Sequence, residues 1–333
     1  MRHRIPWQAW IIIGFLILLL VYPLAVTNRY WMNLMITTFM FVSLGQAWNW
    51  VGGYAGQISF GHAAFFGLGA YTSTLLLAQL GVNPWLGMLA GGVVAIVVAF
   101  LIGWPMFRLQ GHYFAIATIA LGEILRIGFD NWEWVGGASG IELPIIESSF
   151  INFQFFSKVP YYFIALALAI LTYAITWWMT RSKVGYYLRA IREDQDAARA
   201  LGVNPIKYKY IALMLSAMIT AFVGTFYAQY ILFIDPVSTM ALDLSILISL
   251  VAVLGGAGSF WGPLLGAFLL IPINELTRSF LGGGGRAYNL IIYGALIIAI
   301  AVWQPGGLWE LLETWRKKRW TGARPKEEEV AHG

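Results

Sequence analysis

Apolar runs of about 20 residues recur along the chain, each closed by glycine, proline or a cluster of charge. An α-helix rising about 1.5 Å per residue needs that length to cross the hydrocarbon of a bilayer. Counting these runs, and shorter ones bounded by Gly or Pro, predicts crossings near 8–26, 31–50, 58–80, 85–105, 112–130, 160–180, 208–232, 240–255, 261–280 and 288–304. The shortest, 240–255, reads equally as a re-entrant segment. Asn83-Pro84 and Asn204-Pro205 mark helix entries. In each, the Asn side chain caps unpaired N–H groups and the proline takes the first helical position, where no N–H is needed. The predicted fold class is an all-α polytopic membrane protein of about ten transmembrane helices. Residues 1–310 form the transmembrane domain and 311–333 a solvated cytoplasmic tail.

One long charged island, 181–209, interrupts the pattern. Within it, 186–201 reads as a short helix with i,i+4 pairs at Arg189/Glu193 and Arg192/Asp196. Gly202 stops that helix and Asn204-Pro205 begins the next. The small side chains Ala190, Ala197, Ala198 and Ala200 let a partner surface approach closely. Mixed charge suits a protein socket better than a lipid surface, although a loop that only sets topology has the same look.

Composition narrows the class. Hydrophobic residues make up 59% of the 333 and charged residues 11%, whereas a soluble domain carries roughly a quarter charged. The net charge of +5 does not mark a nucleic-acid partner, because the charges sit in loops and form no basic stripe. Most of the 21 lysines and arginines fall on one side of the predicted spans: the N-terminus, Arg108, the island and the tail. Arg29, Lys158, Arg278 and Arg286 lie on the other, and Arg126 lies within a span. This asymmetry places the N- and C-termini and the island in the cytoplasm. The 130–158 loop agrees, with Asp130, Glu133, Glu142 and Glu147 against one lysine. The basic start and first apolar run resemble a signal peptide, but the run is long and no A-x-A site follows, so it reads as the first span.

Candidate chemistry is sparse. There are no cysteines, and His3, His62, His112 and His332 stand at no metal-ligand spacing, so no metal site is expected. Nucleotide-loop, zinc-protease and serine-hydrolase motifs are absent, which argues against a catalytic site. The segment 52–71 is glycine-rich where spans are usually bulky, and Gly56, Gln57, Ser59, Gly61 and His62 put polar and small groups together there. Small-residue helix packing and a broken, pathway-lining segment both fit. Glu123 and Arg126 stand i,i+3 within a span, as a structural pair or a solute contact, and Glu275 and Arg278 repeat the spacing. The stretch 55–61 is faintly echoed by 257–262, a weak internal repeat of the kind transporters use. An ion-driven secondary transporter would need an intramembrane carboxylate, for which Glu123 is the deep candidate.

Three stretches together resemble a known family: G-Y-A-G-Q-I-S-F-G-H-A-A-F-F-G-L-G-A-Y from Gly53, A-I-R-E-D-Q-D-A-A-R-A-L-G-V-N from Ala190 and V-A-V-L-G-G-A-G-S-F-W-G-P from Val251. They look like the LivM-type permeases of ATP-binding-cassette importers for branched-chain amino acids. Asp196-Ala197-Ala198 with Gly202 is similar to the E-A-A-x-x-x-G loop of such importers, with Asp in place of Glu and an incomplete I-x-L-P continuation. The resemblance covers about residues 30–310. It implies a multi-pass protein of the inner (plasma) membrane, pairing with a second, LivH-like permease subunit, two cytoplasmic ATPase subunits and an external solute-binding protein. ATP and Mg would sit on the ATPases, with no cofactor on this chain. The island would be the coupling loop, with Gly185, Arg189, Arg192, Glu193, Asp194, Asp196, Ala197, Ala198, Leu201 and Gly202 meeting an ATPase. Gly56, Gln57, Ser59, Gly61, His62, Glu123 and Arg126 would line the substrate pathway. Related permeases carry urea or short amides, and nothing in the spans separates these from leucine.

Overall fold

The computed structural model describes residues 14, 18–26, 28–109, 111–281, 294–295, 306–311 and 313–314, the side chains of 278–281 excepted. Its helices are α1 (Arg29–Asn49), α2 (His62–Leu80), α3 (Pro84–Met106), α4 (His112–Asp130), α5 (Lys158–Arg181), α6 (Lys183–Glu193), α7 (Gln195–Ala200), α8 (Pro205–Ile231), α9 (Pro236–Thr239), α10 (Leu242–Gly256) and α11 (Gly262–Leu281). A π-helical turn, Trp50–Tyr54, extends α1, and β1 (Ile141–Glu142) pairs antiparallel with β2 (Phe233–Ile234). Among the described residues, six helices are long and apolar enough to cross a membrane: α2, α3, α4, α5, α8 and the run Pro236–Gly256 that joins α9 to α10. Together with the apolar composition, they make the chain a multi-pass membrane protein. The predicted span 288–304 lies largely, the first half of 8–26 mostly, and both termini wholly, outside the described residues.

Lipid acts as the solvent here, so bulk hydrophobicity cannot sort the inside from the outside. Side-chain size does it instead. On α3, Leu86, Leu89, Val93, Val97, Phe100 and Leu101 point outward, while Gly87, Gly91, Ala95 and Ala99 are buried. The most extensive interface, α2 on α8, closes backbone to backbone: a Cβ at Gly69 would overlap the Ala221 carbonyl, and one at Gly224 the Phe66 carbonyl. Helix α1 is of spanning length yet falls outside the six, because its buried face carries Thr38, Ser43, Gln46 and Asn49. Thr38 and Ser43 turn their hydroxyls back to the carbonyls of Leu34 and Phe39 (2.7 and 3.0 Å). Gln46 Nε2 and Trp50 Nε1 both donate to Thr176 Oγ1 of α5, at 3.1 and 2.9 Å. In a water-free interior, groups satisfied this way pin helices together.

The expected Asn-Pro entries form. Asn83 Oδ1 accepts from Trp85 N at 2.8 Å, and Asn204 Oδ1 from Lys207 N at 3.2 Å. The predicted run 240–255 is extended by α9 to 21 residues, enough for a full span. Two other expectations are corrected. The predicted span 58–80 becomes helical only at His62. The predicted single helix 186–201 is two helices, because Asp194 is extended (φ −154°) and its carboxylate accepts from Asp196 N and Ala197 N at 2.8 and 2.9 Å. A side chain that caps a new helix cannot continue the old one.

Candidate functional site

Two places carry the candidate residues. The first is the non-helical climb from Ala55 to Gly61. It follows the π-turn, past whose end Gln57 N donates to the Val51 carbonyl at 2.9 Å. Neighbouring spans then take over the backbone groups that a helix would have paired. Trp48 Nε1 donates to the Ser59 carbonyl (2.6 Å), Phe60 N donates to Thr118 Oγ1 of α4 (2.9 Å), and Ala63 N donates to Ser245 Oγ of α10 (2.9 Å). His62 is fully buried, with Nε2 2.8 Å from Ser216 Oγ of α8. Ser216 lies about three turns, or about 16 Å, from the nearer end of α8, and Ser245 sits near the start of α10, well inside the apolar run Pro236–Gly256. Helix α2 therefore starts deep between the spans. Non-helical backbone at such depth persists only where protein covers it or where it lines a cavity.

Both conditions are visible. Ser59 is buried, while Ile58 is half exposed. Gly56 takes φ +67°, a conformation that only glycine adopts without strain. The cavity beside the climb, lined by Ser59, Gly61, Phe114, Thr118 and Gly122 among others, measures about 20 Å³. That is room for about one water and not for a solute. Gln57 Oε1 and His62 Nδ1 are buried without a hydrogen-bond partner among the described residues.

Glu123 and Arg126 pair as their spacing predicts, with Arg126 Nε 3.0 Å from both carboxylate oxygens and Nη2 2.5 Å from Oε1. They are 42% and 22% exposed on α4, whose buried face is confined to Phe114, Thr118 and Gly122. Gly122 meets the Gly61 Cα, so α4 is brought against the climb. The charge pair itself has no described contact with it. The second predicted pair is not described, since the Arg278 side chain lies outside the described residues.

The second place is the knuckle made by α6 and α7. Its inner face buries Gly185, Leu188, Ile191 and Ala198, and Gly185 sits so close to Met179 and Thr180 of α5 that any side chain would collide. Its outer face presents Glu193, Asp194, Asp196, Ala197 and an 85% exposed Leu201. Gly202 (φ +84°) closes α7 as predicted, with Gly202 N donating to the Arg199 carbonyl (2.9 Å) and Val203 N to that of Ala198 (3.1 Å). The predicted i,i+4 pairs are replaced: the break at Asp194 separates Arg192 from Asp196, and within α6 Arg189 turns to a backbone carbonyl of α5 rather than to Glu193. Arg189 Nη2 donates to the Thr180 carbonyl (3.2 Å), Arg192 Nη1 to the Gly53 carbonyl (2.8 Å), and Asp196 instead meets Arg199 (3.4 Å). Burial pushes the nearby Tyr54 phenol up to about 12, so it stays neutral and acts as a packing group.

Sequence reasoning missed three residues that anchor these places to the rest of the fold. Asn49, fully buried, accepts from Gly258 N (2.7 Å) and donates to the Ser259 carbonyl (2.9 Å). Lys209 Nζ donates to Gln195 Oε1 at 2.5 Å, fastening α7 to α8. An amide at the end of an apolar run was the visible signal for Asn49; nothing local marked Gln195 or Lys209.

Residues 30–301 match the family model described as "Branched-chain amino acid transport system / permease component". The chain is 31% identical, over 90% of its length and 75% of the relative's, to the high-affinity branched-chain amino acid transport system permease protein LivM of Escherichia coli. It is 25% identical to the corresponding LivH protein of Salmonella typhimurium, over 82% of this chain and 91% of that one. It is 26% identical to the nucleoside ABC transporter permease protein NupC of Lactococcus lactis, over 80% and 90%. No solved structure matches.

Proposed function

The chain belongs to the branched-chain amino acid transport permease family, and from that premise we propose that it is the membrane-spanning subunit of an ATP-driven importer of leucine, isoleucine and valine. The observation that carries this reading is the 31% identity to a LivM permease across nine-tenths of the chain. The chain is a transport subunit and not itself an enzyme. A LivH-like permease, the second kind of relative, is its partner in a heteromeric pair. Two cytoplasmic ATPase subunits hold ATP and Mg, and an external solute-binding protein delivers the cargo.

In this reading the knuckle is the part a motor grips. Coupling between distant sites needs an element with discrete arrangements that both sites bias. The knuckle is fastened to α5 by Arg189 and to α8 by Lys209, so a push on its outer face, Leu201 foremost, moves two spans. Helix α8 carries Ser216, the partner of His62 at the head of α2. The Ala55–Gly61 climb and α4, with Glu123 and Arg126, form the wall along which the solute passes when the cavity opens.

The NupC relative supports a second cargo, a nucleoside, on the same architecture. Uptake into liposomes holding the whole assembly, with labelled leucine, urea and a nucleoside offered in turn, decides between them. Leucine uptake that needs both ATP and the binding protein is expected. Preference for urea or a nucleoside would overturn the cargo. Uptake that ignores ATP and collapses with the proton gradient would overturn the class.

A further inference from the structure

Arg192 was expected among the residues that meet a motor; it is exposed on the knuckle, yet the end of its side chain reaches the π-turn that follows α1. Its stem lies on Gly56, where an added Cβ would come within 3.1 Å of Arg192 Cγ. Its Nη1 donates to the Gly53 carbonyl at 2.8 Å, across 139 residues of sequence. The same nitrogen occupies the space a side chain would take at Gly258. Gly56 and Gly258 both have positive φ (+67° and +83°), so each turn is shaped to leave this slot empty of side chains.

The slot is where two turns from distant parts of the chain meet. The π-turn and climb lead from α1 to α2, and residues 257–261 lead from α10 to α11. Asn49 locks the turns together through its bonds to Gly258 N and the Ser259 carbonyl. A pull on Gly53 therefore acts on both at once. Arg189 and Lys209 link the knuckle to α5 and α8, spans that are its neighbours in sequence. Arg192 links it to α1, α2, α10 and α11, which are not.

We infer that Arg192 is a positioning residue: a latch by which displacement of the cytoplasmic knuckle is delivered to the paired glycine turns, and through them to the start of α2. This rests on the transport reading above and adds to it the residue that carries the motion inward. Carbonyl capture suits arginine, whose planar fork keeps its direction while the remaining N–H groups face solvent.

The test uses the assembled importer in liposomes. Arg192→Ala is expected to lower the solute moved per ATP hydrolysed by about tenfold, the scale of a typical coupling free energy, while the ATPases co-purify in full. Gly258→Ala, which fills the slot, should lower the ratio in the Arg192 background and add nothing to Arg192→Ala. A second readout needs no transport. The chain has no native cysteine, so Ala257→Cys is a unique label, and its reaction with a soluble maleimide should speed up when Arg192→Ala is added. An unchanged ratio, or loss of ATPase co-purification, overturns the latch. Faster labelling in an assembly whose wild type moves no solute on ATP would support the latch and overturn the transport reading.

Discussion

The two turns held by Asn49 begin alike and end differently. Each opens on Ala-Gly with the glycine in a left-handed conformation (Ala55-Gly56, Ala257-Gly258), and each has a serine whose hydroxyl accepts from the glycine N–H at the next helix's start. In the second, Ser259 Oγ donates to the Gly256 carbonyl (2.7 Å) and accepts from Gly262 N (2.9 Å), so the turn closes on itself and α11 restarts at once. In the first, the serine hydroxyl is 3.4 Å from Gly61 N, and the backbone bonds go instead to Trp48, Thr118 and Ser245 on other helices. The second turn is closed by its own serine, tied to another helix by Asn49 of α1 and reached by Arg192, so it follows movements of those two residues. The first, whose partners lie on α1, α4 and α10, follows movements of three helices.

That contrast is open to breakage. The largest effect is expected from Asn49→Leu, which strands Gly258 N and the Ser259 carbonyl in a buried site and loosens both turns. A loss of about 3 kcal/mol in chemical denaturation in detergent is expected. Thr118→Val removes the acceptor of Phe60 N and should cost about 1.5 kcal/mol. Its cysteine-accessibility signature is faster labelling of Ile58→Cys with Ala257→Cys unchanged. Equal acceleration at both positions would show that the turns move as one and defeat the contrast. Ser259→Ala removes a local cap and should cost about 1 kcal/mol. It should speed labelling at 257 and leave 58 as it was.

Much of this was legible. Helix entries at Pro84 and Pro205, the stop at Gly202 and the Glu123–Arg126 pair follow from rules acting within a turn or two of chain. The resemblance between 55–61 and 257–262 was visible as a faint repeat, although not that Asn49 and Arg192 link the two turns. The break at Asp194 is local too, but charge-pair spacing and capping pointed in opposite directions there, and capping satisfied two backbone donors at once. The late start of α2 was not legible. Residues 58–61 are apolar or small enough to be helical, and only Thr118 and Trp48, on other spans, make the extended path hold.

The sequence by itself determined that this chain lives in a bilayer, roughly where its helices enter and leave, and which family it resembles. Those facts depend on apolar run length, cap chemistry and charge placement, which act over short stretches. Tertiary structure decided which polar groups became partners: that Asn49 joins turns some 200 residues apart, that Lys209 holds Gln195, and that Arg192 reaches the Gly53 carbonyl. In an interior without water, each buried donor binds the acceptor that packing brings within reach, and that choice is made by the assembled helices.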